Sequence, residues 1–234
     1  MKSLPRFGVI IPAAGTGSRT GAKIPKQFVE IEGASVLSHT LAVFAALPNC
    51  VEIVLAMDPE WADKGEEAGA GTEKLKIVSG GKERQDSIRN AMAALASDTE
   101  YVLVHDAARP LVTGALVDRV LAAAQEYGAA IPGMPVVETV KLVDTDAGNR
   151  VVRTIPRQGL FTVQTPQGFR VDLLRKAYEY AAKTGFLGTD DASLVEECGE
   201  LVIMVAGESE NLKITWPEDF SKAEEILKSR KSAP

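Results

Sequence analysis

Short, continuously apolar segments alternate along this chain with segments in which apolar residues recur at helical spacing. The apolar segments are rich in Val and Ile, which indicates strands that are buried on both faces of a sheet. This alternation predicts a three-layer, Rossmann-like α/β fold with a mostly parallel sheet and right-handed crossovers. We predict the strands at 7–11, 51–57, 75–78, 101–105, 129–134 and 201–205.

The segments between these strands each carry one apolar helical face. Pro217, which is followed by two acidic residues, is typical of a first helical turn and predicts a last helix that runs to Leu227. The other predicted faces comprise Leu37, Leu41 and Phe44; Ile88, Met92 and Leu95; Leu116, Val120, Ala124 and Tyr127; and Leu174, Ala177, Tyr178 and Ala181.

One polar segment, residues 135–154, interrupts the alternation. Spaced valines (Val137, Val140, Val143, Val151) flank a turn-forming sequence at 144–149, and this pattern predicts a β-hairpin. A hairpin inserted at 135–156 is too small to bury its own apolar face. We therefore expect a projecting arm that packs on a second chain in a homodimer. Residues 1–234 show no linker or repeat, so we expect a single domain.

The composition excludes several classes of protein. The 234 residues are 45% hydrophobic, which is enough for one buried core. The 26 basic and 32 acidic residues give a net charge of -6, which argues against general nucleic-acid binding. Cys50 and Cys198 are far apart and lack the spacing of a zinc site. Since no signal-type or membrane-length apolar run occurs, we expect a cytoplasmic enzyme with no membrane partner.

A segment of small residues follows the first predicted strand. Ala13, Ala14, Gly15 and Gly17, which follow Pro12, let the backbone approach a ligand closely, and successive N–H groups there could cradle phosphate oxygens. The segment does not fit the dinucleotide fingerprint, whose third glycine position holds Thr20. It does not fit a P-loop either, because Ala22 follows Gly21 where a lysine is required.

Three cations accompany this glycine-rich segment. Arg19, Lys23 and Lys26 lie within eight positions. In-line attack on an α-phosphate builds negative charge on the equatorial oxygens and on the leaving pyrophosphate, and prepositioned cations stabilise that charge. The pattern therefore indicates phosphoryl or nucleotidyl transfer, while a solvated basic loop remains the alternative from this segment alone.

Five segments, in their order and spacing, resemble the 2-C-methyl-D-erythritol 4-phosphate cytidylyltransferase family. They are residues 12–19 with 25–27, 80–87, 104–110, 160–167, and 189–190 with 211–213. The resemblance spans essentially the whole chain and implies a nucleotidyltransferase fold. It implies transfer of a cytidylyl group from CTP to 2-C-methyl-D-erythritol 4-phosphate with Mg²⁺. The product would be 4-diphosphocytidyl-2-C-methyl-D-erythritol. A ribitol-5-phosphate cytidylyltransferase is the alternative.

The resemblance also implies roles for individual residues. Arg19 and Lys26 would stabilise the transition state, and metal ligands are not implied. Thr139 and Arg157 of the arm would reach the substrate phosphate of the neighbouring protomer. The nucleotide would contact Pro12, Ala13, Ala14, Gly15, Gly17, Gly81 and Ser87, and the phosphorylated polyol would contact Asp106, Ala107, Arg109, Thr165, Thr189 and Lys213.

Taken residue by residue, plainer interpretations remain open for several of these positions. Gly81 could belong to a turn before a helix, and Asp106 and Thr189 could be helix caps. Lys213 lies in a strand-like stretch and could be an edge-strand lysine, while Arg109, Thr139 and Arg157 could be surface residues. A substrate phosphate is already ionised at neutral pH and needs no general base. We therefore interpret His105 and His39 as packing or surface residues.

Overall fold

The computed structural model describes residues 3–15 and 24–232. Gly17, Arg19, Thr20 and Lys23, which the sequence assigns to the glycine-rich segment, lie outside the described residues. Within the described residues, no helix has both the length and the apolar character needed to cross a membrane.

The strands and helices follow the predicted alternation. The strands are β1 (Phe7–Pro12), β2 (Glu30–Ile31), β3 (Ala34–Ser35), β4 (Cys50–Met57), β5 (Leu75–Ser79), β6 (Tyr101–Val104), β7 (Ala129–Pro135), β8 (Val140–Asp144), β9 (Arg150–Ile155), β10 (Phe161–Val163), β11 (Gln167–Arg170) and β12 (Ile203–Ala206). The α-helices are α1 (Val36–Ala46), α2 (Ala62–Ala68), α3 (Arg84–Ala93), α4 (Gly114–Tyr127), α5 (Val171–Thr184), α6 (Asp191–Glu197) and α7 (Pro217–Ser232). Short 3-10 turns occur at Lys26–Phe28 and Pro59–Trp61.

The central sheet has eight strands. Seven of them are linked by hydrogen bonds in the order β10-β7-β11-β6-β1-β4-β5, and the eighth, β12, also pairs with β7. The pairs β6-β1, β1-β4, β4-β5 and β7-β12 are parallel, whereas β11 is antiparallel to both β6 and β7 and β10 is antiparallel to β7. The predicted mostly parallel α/β sheet is thus confirmed. Since β1, β4, β5 and β6 run in one direction, the loops that follow them meet at one edge of the sheet.

Helices cover both faces of the sheet, as the three-layer prediction requires. Apolar residues of α1 and α4 pack on one face, in a core with Val9, Ile11 and Leu55. Apolar residues of α3, α5 and α6 pack on the other face, in a core with Ile10 and Val54. Neighbouring residues of one strand therefore contribute to opposite cores, which is why these strands are apolar throughout.

Several local features differ from the sequence-based expectations, and three of them bear on the sheet and its helices. The antiparallel strand β11 was not predicted, and it separates β6 from β7. The strand expected at 201–205 is β12, which begins only at Ile203. Tyr127 was expected on the buried face of α4, but it is 47% exposed. It is the last residue of that helix, and Gly128, with φ 93°, turns the chain away immediately after it.

The segment predicted as a hairpin forms one. Strands β8 and β9 pair with each other in a separate two-stranded sheet. Most residues of both strands are exposed. Val137, Val151 and Val152 are 70%, 55% and 54% exposed, respectively, so the arm presents apolar surface to its surroundings.

Candidate active site

The loops that follow β1, β5 and β6 line an open cleft of about 260 Å³. It lies at the carboxyl ends of the parallel strands, where open α/β sheets bind their ligands. Many of the residues that the sequence assigns to nucleotide or substrate meet there. The described residues that line the cleft are Pro12, Ala13, Ala14, Gly15, Lys26, Gln27, Gly81, Lys82, Glu83, Arg84, Ser87, Asp106, Ala107, Ala108 and Lys213.

The described start of the glycine-rich segment is held from two sides. The Ala13 N–H continues the pairing of β1 with β4 by donating to the Ala56 carbonyl at 2.7 Å. On the other side, the buried Gln27 side chain donates through Nε2 to the carbonyls of Ala13 and Gly15, at 2.7 and 3.3 Å. Gln27 was part of the motif that indicated the family, but sequence reasoning gave it no role.

Lys26 connects the glycine-rich segment to the C-terminal part of the chain. Its Nζ atom donates to the Ile214 carbonyl at 2.6 Å. Lys213, the residue before Ile214, lines the same cleft. Two lysines that are 187 positions apart in the sequence are thereby brought to one site.

Residues 80–87 comprise a turn that leads into the first residues of α3, and this segment packs closely against the glycine-rich segment. The Gly81 N–H donates to Ser87 Oγ at 2.9 Å, and Ser87 Oγ donates to the Glu83 carbonyl at 3.2 Å. A Cβ atom on Gly80 would lie 2.6 Å from the Ala14 Cβ, and one on Gly81 would lie 2.2 Å from the Asp86 Cβ. The turn does precede helix α3, as the plainer interpretation held, and its glycines are required by close packing beside the cleft.

Asp106 is the central carboxylate of the cleft. Its Oδ2 atom lies 2.9 Å from Lys213 Nζ and 3.2 Å from Arg109 Nε, and its Oδ1 atom lies 4.0 Å from Arg84 Nε. Burial opposes ionisation, but the charges of Lys213, Arg109 and Arg84 outweigh it and hold the pKa of Asp106 well below its usual range. Asp106 is therefore an ionised hydrogen-bond acceptor, and it is not a helix cap.

Arg109 is buried, with 9% of its surface exposed, so it is not an ordinary surface residue. Besides Asp106, its guanidinium donates through Nη1 to the Asn211 carbonyl at 2.8 Å. Asn211 in turn donates through Nδ2 to the Thr165 carbonyl at 2.8 Å. Burial lowers the pKa of Arg109, and Asp106 partly offsets this effect. Arg109 thus ties the Asp106 loop to the segments that carry Thr165 and Lys213.

His105 is fully buried and packs edge-on against Phe44. The Asp106 N–H donates to Thr165 Oγ1 at 3.0 Å, which leaves the Thr165 hydroxyl proton for His105 Nδ1 at 3.1 Å. Its Nε2 atom then donates to the Arg109 carbonyl at 3.1 Å. Burial lowers the pKa of His105 to about 4, so the ring is neutral at pH 7. These contacts support the interpretation of His105 as a packing residue and show that Thr165 is a structural link to Asp106.

One buried ion-pair network was missed by sequence reasoning. Arg84 Nη2 lies 2.8 Å from Oδ2 of the fully buried Asp191, and Tyr178 donates to Asp191 Oδ1 at 2.6 Å. Burial lowers the pKa of Arg84, but Asp191 and Asp106 more than offset this and raise it. The network joins the turn at 80–87 to α5 and α6. The sequence showed only an arginine within that motif and an aspartate at the start of a later helical segment, and nothing in it indicated that the two pair.

Five expected substrate residues are not among the described residues that line the cleft. Two of them, Arg109 and Thr165, are buried and contact Asp106, and the other three are Thr189, Thr139 and Arg157. Thr189 is exposed, and the cap of α6 is Asp190, whose side chain accepts from the Ser193 N–H at 3.0 Å; the helix-cap interpretation of Thr189 is therefore wrong. Thr139 and Arg157 are both exposed at the root of the arm, where Arg157 donates to the Val137 carbonyl. Lys213 lies in a stretch without strand structure, so it is not an edge-strand lysine.

A mostly parallel α/β sheet whose carboxyl edge combines a glycine-rich segment with lysines and one ionised aspartate defines a Rossmann-like nucleotidyltransferase. The comparison with protein-family models is more specific. The model described as 2-C-methyl-D-erythritol 4-phosphate cytidylyltransferase matches residues 7–229, and the chain belongs to that family.

Individual relatives agree with this assignment over nearly their full length. A 2-C-methyl-D-erythritol 4-phosphate cytidylyltransferase of Acidobacterium capsulatum is 44% identical, covering 97% of this chain and 99% of its own. The Bacillus cereus protein of the same name is 45% identical, covering 96% and 99%. The crystal structure of the Thermus thermophilus enzyme superposes with a TM-score of 0.80 at 39% identity, covering 95% of this chain and 99% of that one.

Proposed function

We propose that this protein transfers the cytidylyl group of CTP to 2-C-methyl-D-erythritol 4-phosphate within the cleft. The products are 4-diphosphocytidyl-2-C-methyl-D-erythritol and pyrophosphate. The observation that carries the proposal is the convergence of Lys26, Lys213 and the ionised Asp106 beside the start of the glycine-rich segment. This cleft offers cations for phosphates and an acceptor for hydroxyls at one place. The family membership of the chain is the second support for the proposal.

In the proposed reaction, an oxygen of the substrate phosphate attacks the α-phosphorus of CTP. A new phosphorus–oxygen bond forms as the bond to the β-phosphate breaks, and pyrophosphate leaves with the electron pair. No proton has to be removed, because the attacking phosphate is already ionised. Arg19 and Lys26 would stabilise the charge that develops on the α-phosphate and the leaving group.

The remaining contacts divide between the two substrates. Pro12, Ala13, Ala14, Gly15 and Gly17 would hold the nucleotide through backbone groups, and Gly81 and Ser87 would help to hold the cytosine. On the other side, Ala107, Arg109, Thr165, Thr189 and Lys213 would surround the phosphorylated polyol.

Within that second set, Asp106 would accept hydrogen bonds from substrate hydroxyls. Its Oδ1 atom is the less engaged oxygen, because Oδ2 already contacts Lys213 and Arg109. This role requires the ionised carboxylate that its neighbours maintain.

The cleft is suited to a magnesium ion that arrives with the triphosphate. Within the described residues, no three His, Cys, Asp or Glu side chains form a group that could hold a metal ion. Magnesium in nucleotide sites is usually bound by phosphate oxygens, water and one or two carboxylates, and Glu83 and Asp106 are the carboxylates among the described residues that line the cleft. The ion would neutralise charge on the phosphates.

We propose that the active unit is a homodimer in which the arm of each protomer completes the site of the other. The exposed apolar surface of the arm supports this assignment, because such surface in a soluble protein usually marks an interface. Arg157 and Thr139 would then contact the partner's substrate phosphate, for which the planar guanidinium is well suited. We also propose a cytoplasmic location, which is consistent with two unpaired cysteines.

Pyrophosphate release tests the proposed reaction. Purified protein is supplied with Mg²⁺, each of the four nucleoside triphosphates, and either 2-C-methyl-D-erythritol 4-phosphate or ribitol 5-phosphate. We expect the highest kcat/KM with CTP and the methylerythritol phosphate. A higher kcat/KM with ribitol 5-phosphate would reassign the polyol substrate, and no release with any pair would contradict the proposed function.

A further inference from the structure

A single buried side chain holds the two carbonyls that flank Ala14. Gln27 is 4% exposed, and its Nε2 atom donates to the Ala13 carbonyl at 2.7 Å and to the Gly15 carbonyl at 3.3 Å. The reverse orientation of the amide would place its oxygen against two carbonyl oxygens. The two contacts therefore fix both the position and the orientation of the carboxamide.

The geometry of the peptide unit transmits this constraint to the cleft. In a planar trans peptide, the Ala13 C=O and the Ala14 N–H belong to one unit and point in opposite directions. Because Gln27 binds the Ala13 carbonyl, the Ala14 N–H is directed away from Gln27. Within residues 3–15 and 24–232, the N–H groups of Ala14 and Gly15 have no hydrogen-bond acceptor, and both residues line the cleft.

The turn that carries Gln27 is itself anchored on both sides. Lys26, the preceding residue, donates to the Ile214 carbonyl at 2.6 Å. Phe28, the following residue, stacks on Trp61 with ring centroids 5.4 Å apart. These contacts fix the turn, and with it the position of Gln27 beside the carbonyls of Ala13 and Gly15.

We propose that Gln27 is a positioning residue for CTP. By holding the carbonyls of Ala13 and Gly15, it keeps their negative ends off the anionic nucleotide and leaves the Ala14 N–H to donate to it. The neighbouring Gly15 N–H, which also has no acceptor within the described residues, would donate beside it. Successive N–H groups without a protein acceptor form an anion-binding arrangement, whereas an inward carbonyl would repel phosphate. This inference rests on the proposed function, since it assigns the nucleotide as the ligand.

The test is the isosteric substitution Gln27→Glu, studied by calorimetric CTP binding and by steady-state kinetics. At pH 8 an ionised carboxylate cannot donate and repels both carbonyls, so we expect the Kd and KM for CTP to rise about tenfold or more. The KM for the polyol phosphate should stay within about twofold, since Gln27 does not hold that side of the cleft.

The pH dependence separates positioning from a general packing defect. Burial raises the pKa of a carboxyl group, and the protonated acid can donate one hydrogen bond. The ratio of mutant to wild-type CTP affinity should therefore rise toward one as the pH falls from 8 to 6. In Gln27→Met, the methionine side chain has a similar size and no hydrogen-bond donor, so the loss of CTP affinity should persist at every pH.

Gln125→Glu is the matched control, because it adds the same charge on α4, away from the cleft, and should leave CTP affinity unchanged. If Gln27→Glu does not fold, Gln27→Met carries the test alone. Wild-type CTP affinity in the Gln27 variants would overturn the inference, as would equal rises in both KM values with no pH dependence. Wild-type protein that does not bind CTP would instead overturn the proposed function on which the inference rests.

Discussion

At the scale of single residues, the site is organised by an excess of cations around one buried carboxylate. Asp106 contacts Lys213 and Arg109 directly and lies 4.0 Å from Arg84. The sequence predicted Asp106, Arg109 and Lys213 as functional because they lie in motifs. It gave no indication that Arg84 and Asp191 complete the same network, since their pairing depends on how α3 and α6 pack against each other.

The charge balance at Asp106 has a measurable pH dependence. Its pKa is lowered from the usual 3.8, so its stabilising contribution is complete above that value and is lost as the pH falls toward the lower pKa of the folded state. Asp106→Asn should therefore destabilise the protein at pH 7, because it leaves the surrounding cations unbalanced. The difference in the free energy of unfolding between wild type and variant should narrow by about 1 kcal/mol between pH 5 and pH 3.

Urea unfolding of both proteins at the two pH values measures this gap. Asp98→Asn serves as the control, because Asp98 lies away from the cleft and forms no ion pair with the other described residues. A gap between wild type and Asp106→Asn that is the same at pH 3 as at pH 5 would contradict the cation cluster as the cause of the lowered pKa.

Lys26 is expected to act mainly as charge develops in the transition state. Lys26→Ala should lower kcat by about 10²- to 10³-fold, the usual effect of losing one group that stabilises developing charge. The Kd for CTP should change much less, because the ground state carries less charge at the reacting centre. Quenched-flow kinetics and CTP binding measure the two effects, with Lys64→Ala on the surface as control. Near-normal turnover in Lys26→Ala would exclude this role.

At the scale of elements, continuous apolar runs made β1, β4, β5, β6 and β7 predictable, because each buries side chains in both cores of the sheet. Strand β11 escaped prediction because Gln167–Arg170 is short and begins and ends with polar residues. The Gln167 side chain binds the N-terminus of α6, because its oxygen accepts hydrogen bonds from the N–H groups of Asp191 and Ala192. Such a contact between distant segments leaves no periodic signal in the sequence.

The turn at 80–87 offers a prediction at this scale. A Cβ atom on Gly81 would lie 2.2 Å from the Asp86 Cβ and 3.0 Å from the Ser87 nitrogen, so Gly81→Ala must displace the turn beside the cleft. We expect the KM for CTP to rise by about tenfold, equivalent to about 1.4 kcal/mol of binding free energy. Gly114→Ala is the control, because its Cβ would meet only Leu47 at 3.4 Å. An unchanged KM for CTP in Gly81→Ala would remove this turn from the nucleotide site.

At the scale of the whole molecule, two sets of predicted site residues lie apart in the single chain. The cleft contains Lys26, Asp106 and Lys213, whereas Thr139 and Arg157 lie exposed at the root of the arm. Exposed apolar side chains continue from the arm to the neighbouring edge strand β10, where Phe161 and Val163 are 44% and 38% exposed. In the proposed homodimer, a second protomer would cover this surface and bring its own arm residues to the first protomer's cleft, which would account for the separation.

Site sharing can be tested by mixing two inactive variants. In a mixed dimer of Arg19→Ala and Arg157→Ala chains, one cleft carries both defects, whereas the other combines an intact Arg19 with an intact arm from its partner. Random exchange makes half of the dimers mixed, so about a quarter of wild-type activity should return. Subunit exchange is verified with fluorescent labels, and each variant re-equilibrated with itself is the control. Full exchange without recovered activity would show that Arg157 serves its own protomer or neither.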